Sequence, residues 1–229
     1  MKKEPITDII YNGSRAEIGH AAGNEAASAD TASPDTAGTA ELGDDIYSFQ
    51  LMFGEDLLKV PMTCDELISM GWQAESPEDL ETVVEANSYV MGVTFIKGNN
   101  EISADILNLG INAAPAGECL VGSIGIDATG AVYENLGGKI EPGTVMLPGN
   151  IALGAATIED IKAAYGEPSD VYENDTYTEL SYEKDLYEEV TLCVYKETGT
   201  LLEADIRNFV EPEGFDAGTV SGETPSIVT

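Results

Sequence analysis

The fold is decided between Val145 and Phe209. The stretch opens LPGNIALGAATIEDIKAAYGEPSDVY (residues 147–172) and closes LLEADIRNF (residues 201–209). Thr157-Ile158-Glu159-Asp160 predicts a helix start: a threonine cap with two acids in the first turn, where the helix dipole favours them. Ile158, Ile161, Ala164 and Tyr165 fall on one helical face. Gly166 and Pro168 then end the helix. Three strands are expected to follow: Tyr177 to Glu183 (YTELSYE), Glu189 to Tyr195 (EVTLCVY), and Leu201 to Phe209 after a turn at Thr198-Gly199.

Working outward, the same order recurs earlier. Tyr47 to Phe53 reads as a strand. Thr63-Cys64-Asp65-Glu66 is a capping box, and Cys64, Leu67 and Ile68 make one helical face ending at Gly71. Tyr89 to Lys97 and Glu101 to Leu109 read as strands joined by Gly98-Asn99-Asn100, residues that tolerate positive φ. Ile102, Ala104 and Ile106 share one side of the second strand. Thr63 matches Thr157 at a spacing of 94 residues, and Val93–Leu109 matches Cys193–Phe209 without a gap at 100. The string Ala104-Asp105-Ile106-x-Asn108 recurs as Ala204-Asp205-Ile206-x-Asn208. Recurrence of cap, string and element order implies a duplicated unit. The expected fold class is therefore α+β, with two tandem copies of a short helical segment packed on an antiparallel sheet. The expected organisation is a flexible tether at 1–44, a first repeat with its connecting strand (ECLVGSIGID, 118–127) at 45–127, a second repeat at 128–210, and a mobile tail at 211–229.

The chain has 229 residues, with 10 Lys and Arg against 42 Asp and Glu, for a formal charge of −32. Such acidity repels phosphate backbones and anionic lipid, so nucleic acid and membrane surfaces are poor partners. No apolar run reaches the roughly 18 residues that span a bilayer. Met1-Lys2-Lys3 is followed by Glu4 and Pro5, with no apolar core of a signal peptide. Residues 13–44 are rich in Ala, Gly, Ser, Thr and acids, a composition that cannot bury enough surface to fold. These features lead to the expectation of an exported protein, extracellular or tethered at a cell surface, whose export signal is not in this chain.

The three cysteines lack CxxC spacing and allow at most one internal disulfide. Alignment of the copies sets Cys64 on Ile158 and Cys193 on Val93, which makes both core residues and leaves Cys119 least constrained. The lone histidine, His20, lies in the tether, so triads and catalytic imidazoles are not expected. Gly122, Gly125 and Gly130 form no nucleotide-binding motif. No cofactor is expected. Calcium is the best metal guess, at Asp44-Asp45 or Glu173-Asn174-Asp175, which lack EF-hand spacing. Asp105 and Asp205 are the recurring acids. Alternation along a strand points them away from Asn108 and Asn208, and they are expected to face solvent or to staple the strand to a neighbouring loop.

The pattern Leu153-Gly154-x-x-Thr157-x-x-Asp160-x-x-x-x-Tyr165-Gly166-x-Pro168, followed by apolar strand pairs, resembles the small lipoproteins of outer-membrane assembly and the β-lactamase-inhibitory protein fold. It is more similar still to tandem-repeat lipoproteins of unknown function from gut Firmicutes. The likeness covers roughly 147–209, is weak in the first copy, and lacks the lipid-attachment cysteine at the start. It implies a helical segment on an antiparallel sheet, twice over, and no catalytic residues. The expected function is a non-enzymatic exported binding or protein-interaction module, its partner a protein or cell-envelope component. Candidate anchors are Tyr172, Tyr177, Tyr182 and Tyr187, with Asp105 and Asp205. The alternatives are a carboxylate-based extracellular hydrolase, which needs two facing acids about 5–9 Å apart, and a structural spacer.

Overall fold

A computed structural model of the chain describes residues 7–8, 42–133, 140–141 and 143–218. Most of the expected tether, including His20, lies outside the described residues, as do residues 219–229 of the tail.

Two short helices form where the caps predict them. α1 (Cys64–Ser69) and α2 (Ile158–Tyr165) each begin with a complete capping box. Thr63 accepts from the Glu66 amide while the Glu66 carboxylate accepts from the Thr63 amide; Thr157 and Asp160 do the same. The expected strand at Tyr47–Phe53 is shorter. Asp45 accepts from the Tyr47 amide and winds Ile46–Ser48 into a 3-10 turn. The strand β1 then covers Gln50–Phe53 and pairs with β2 (Asp56–Lys59).

The main strands are β3 (Ser88–Lys97), β4 (Asn100–Asn108) and β5 (Leu120–Asp127), then β6 (Val145–Leu147), β7 (Ile151–Ala152), β8 (Asp170–Glu173), β9 (Tyr177–Asp185), β10 (Glu188–Tyr195) and β11 (Thr200–Asn208). Among the described residues a ten-stranded sheet runs β3-β4-β5-β11-β10-β9-β8, with the backbone of Thr7–Asp8 parallel to β3 at one end and the two-residue strands Met62–Thr63 and Gln73–Ala74 paired with β5 and β3. A second sheet runs β7-β6-β1-β2. It draws strands from both halves of the chain.

Both helices and the smaller sheet cover one face of the large sheet. Even-numbered positions of β4, β5 and β11 point there: Ile102, Ala104, Ile106, Ile124, Ile126, Ala204 and Ile206 are all buried. One continuous core joins them to Leu67, Trp72, Leu147 and Ile161. Trp72 sits edge-on to Phe53 at 5.0 Å and donates its Nε1–H to Asp56 at 3.2 Å.

The molecule is thus mainly β, and not a pair of helix-on-sheet repeats. The two hairpins flank β5 in mirrored order: β3-β4 on one side, β11-β10 on the other. β4 and β11 are both antiparallel to β5 and bury the same positions, so they share direction and face. A rotation that lays β4 on β11 leaves β3 on the wrong flank, so the hairpins do not superpose. Their registers also differ. Val93 pairs with Ala104, whereas Leu192 pairs with Ala204. The first turn closes Lys97 on Asn100; the second closes Tyr195 on Thr200 and adds a bulge beside Cys193. A one-residue slip moves a side chain to the other face. Cys193 is therefore buried, but not at the Val93 position; it lies on the opposite face of the sheet.

The described part of the tail is tied down, since the Ile111 amide donates to Ala217 O at 3.0 Å.

Candidate functional site

The second face of the large sheet has no layer over it among the described residues. Odd-numbered positions of β4, β5, β9, β10 and β11 line up across it. Glu101 and Ser103 come from β4, Gly125 and Asp127 from β5, Glu203 and Asp205 from β11, Thr191 and Cys193 from β10, and Glu179 from β9. They line a trough of about 460 Å³, and none of its described lining residues is basic.

Asp205 lies on the trough floor. It pairs across the sheet with Gly125 on one side and Thr191 on the other. Gly125 matters here because a Cβ would stand 3.3 Å from the Asp205 Oδ2. The Asp205 carboxyl reaches solvent but is surrounded by the rising strands. Loss of hydration, then the nearby Asp105 charge and more weakly Glu189, push its pKa up to about 7 against the pull of Arg207. Arg207 is itself committed to Glu189 on β10.

Further along, the Tyr195 hydroxyl donates to Glu203. Burial, then Asp127 and Glu179, hold the Glu203 carboxyl above its usual range despite that hydrogen bond. The Cys193 thiol is pushed up to about 12, first by burial and then by Glu203 and Glu179, so it is a protonated and unreactive group.

A tyrosine cluster adjoins the trough, joined to it at Cys193 and at the Tyr195–Glu203 hydrogen bond. Tyr172 and Tyr177 stand 6.3 Å apart, Tyr177 and Tyr195 5.6 Å, and Tyr195 and Tyr133 5.6 Å. Tyr195, Tyr177 and Tyr133 pack with Cys193 and the bulged Leu202. Tyr172 is 52% exposed, the most open of the four.

The structure therefore gathers Tyr172, Tyr177, Asp105 and Asp205 near one face and removes two other candidates. Tyr182 is not an anchor. It points into the core, meets Tyr165 edge-on at 5.6 Å and donates to Gly166 O at 3.1 Å. Tyr187 sits in the β9–β10 turn, at the end of that hairpin remote from Tyr177 and Tyr195. Asp105 is occupied structurally. It accepts from the Gly92 amide at 3.0 Å and closes the bulge where β3 shifts register. Asn108 and Asn208 are matched in what they hold. Each accepts from the amide two residues on and donates to a valine carbonyl, Val84 or Val60.

Sequence reasoning missed Glu101, Asp127, Glu179, Glu203, Tyr133 and Tyr195. The signal was present in the polar odd positions of each strand. What joins them is the register between strands far apart in the chain.

The proposed calcium clusters are turns. Asp45 caps the 3-10 turn, Glu173 pairs with Lys196 at 2.7 Å, and Asn174 accepts from the Thr176 and Tyr177 amides. No group of three or more His, Cys, Asp or Glu among the described residues is arranged to hold a metal ion. Nor is any described helix long and apolar enough to cross a membrane. No family model, curated protein or solved structure matches this chain.

Proposed function

We propose that the protein is a non-enzymatic, exported binding module whose open sheet face holds a basic, extended segment of a partner protein. The observation that carries this is the acidic trough with the tyrosine cluster beside it. Glu101, Asp127, Glu179, Glu203 and Asp205 share one concavity whose described lining holds no cation. Lys and Arg side chains suit that chemistry twice over. Their charges answer the carboxylates, and their stems and heads pack on tyrosine rings. The exported, tethered address and the likeness to tandem-repeat lipoproteins rest on residues 13–44 and on the Leu153–Pro168 motif. Duplication as the origin of the fold is favoured by the two capping boxes and the shared Asn108 and Asn208 contacts, and opposed by the mirrored hairpins.

The test is a titration of the full chain with fluorescent Lys/Arg-containing peptides at physiological salt. The triple variant Glu101→Gln, Asp127→Asn, Glu179→Gln is expected to weaken binding at least tenfold. A control triple on remote exposed acids, Glu55→Gln, Glu81→Gln, Glu211→Gln, is expected to change it little. Equal losses from both would reduce the effect to bulk charge and sink the proposal.

A carboxylate-based hydrolase is favoured by one observation: loss of hydration and the nearby Asp105 charge push the Asp205 carboxyl up to about 7, and a carboxyl raised in this way can serve as a general acid. Against it, Asp105 is committed to the Gly92 amide and Trp72 is sealed in the core. Turnover of a glycan panel, lost in Asp205→Asn, would establish this second reading.

A further inference from the structure

We infer that Cys64 and Cys119 are a disulfide-forming pair, joined when the chain folds in an oxidising compartment. The inference is independent of what the open face binds. Met62–Thr63 pairs with the start of β5, with Met62 opposite Val121 and Thr63 opposite Leu120. The next pair in that antiparallel register is Cys64 opposite Cys119. The backbone holds it there, because the Cys64 amide donates to Cys119 O at 3.3 Å. The Cys119 amide turns instead to Ala116 O at 3.0 Å, so a single bond joins the two residues. Directly opposed residues of an antiparallel pair have Cα atoms about 4.5–5.5 Å apart. A disulfide needs about 4.4–6.8 Å.

The sulfurs also point to the same place. Cys64 Sγ donates to Ala116 O at 3.4 Å, and Cys119 Sγ to Pro115 O at 3.3 Å. Those are consecutive carbonyls at the start of the 3-10 turn (Ala116–Glu118) that leads into β5, Pro115 being its N-cap. Both side chains are sealed, at 0% and 5% exposure. The third thiol, Cys193, is on the far face of the sheet and cannot compete in the folded chain.

The chemistry requires an external disulfide, such as oxidised glutathione or a protein dithiol oxidase in its disulfide form. One cysteine thiolate attacks it, forms a mixed disulfide and expels one thiol. The second thiolate then displaces the other sulfur. Two protons and two electrons leave the protein, and the external disulfide ends as two thiols. Burial raises Cys64 to about 12 and Cys119 to about 11, each then raised further by a neighbouring charged or ionisable group. Few thiolates exist in the folded protein near neutral pH, so the bridge forms during folding, before the site closes.

The experiment uses the full chain, reduced and unfolded, then refolded with reduced and oxidised glutathione. Free thiols are blocked with N-ethylmaleimide under denaturing conditions, and the product is read by intact mass and a non-reducing peptide map. The expected product has lost two hydrogens, carries one maleimide at Cys193, and yields a linked peptide holding Cys64 and Cys119. Cys193→Ala gives the same linkage with no maleimide. The oxidised chain unfolds at a higher urea midpoint than the same chain reduced with a phosphine. Three blocked thiols, a linkage through Cys193, or an unchanged or lower midpoint after oxidation would overturn the inference. Mapping the unsubstituted chain keeps the test valid even where a Cys64 variant fails to fold.

Discussion

Asp205 shows how one residue ties the open face to solution conditions. Its folded pKa of about 7 lies above the roughly 3.9 of an unfolded aspartate. The folded chain holds this proton more tightly, so the associated stability is complete below about pH 4 and is lost as pH rises through about 7. Asp205→Asn removes the titration. Its urea midpoint is expected to match the parent near pH 4 and to exceed it increasingly toward pH 8. A gap constant across that range would refute the account. Gly122 makes a second prediction. It occupies the bulge where β5 shifts against β4, and a Cβ there would lie 2.8 Å from the Phe209 ring and 3.2 Å from Leu107. Gly122→Ala forces the ring aside, and equilibrium urea unfolding should show a loss of about 1–3 kcal/mol. Neither role could be taken from the residue's own neighbours in sequence. Asp205 matched Asp105 as a string, yet Asp105 closes a bulge and Asp205 floors a trough.

The helix starts behave as isolated local devices. Each capping box satisfies both a helix amide and the cap amide, and each helix runs for little more than two turns or less. Thr63→Ala and Thr157→Ala should each cost about 1 kcal/mol in urea unfolding. The double variant should be additive, because the helices pack on different segments and share no cap partner. Costs near zero would mean that tertiary packing alone holds these turns. The caps, the two hairpins and the buried faces of β4 and β11 were legible because each is set within a few residues. Bulges and strand order were not. The mirrored placement of the hairpins depends on β5 entering between them, and the smaller sheet joins β1 to β6 across most of the chain. Such pairings are decided by what the whole core can bury. That is also why the acids of the trough and the tyrosines beside it stayed scattered until the register was known.

At the scale of the molecule, charge and fold pull in opposite directions. The chain carries 42 acidic and 10 basic residues, a net charge of −32, and folding of the described residues brings their charges closer than the unfolded chain does. The ion pairs known among the described residues do not offset this. Lys97, Lys162, Lys184, Lys196 and Arg207 each meet a carboxylate, but every pair has at least one partly exposed member. Pairs of that kind contribute about 0–1 kcal/mol. Repulsion among the unpaired acids therefore outweighs attraction within the pairs, and screening should stabilise the protein. Raising sodium chloride from about 0.01 M to about 1 M shortens the Debye length from about 30 Å to about 3 Å. If screening recovers about 1 kcal/mol, the melting temperature rises by about 2–4 °C for a chain of this size. The same titration at pH 4 separates screening from a general salting-out effect. There many carboxylates are neutral, so the rise should shrink. A chain held by its ion pairs would instead lose stability with salt at pH 7, and calorimetry across the two conditions distinguishes the cases by sign.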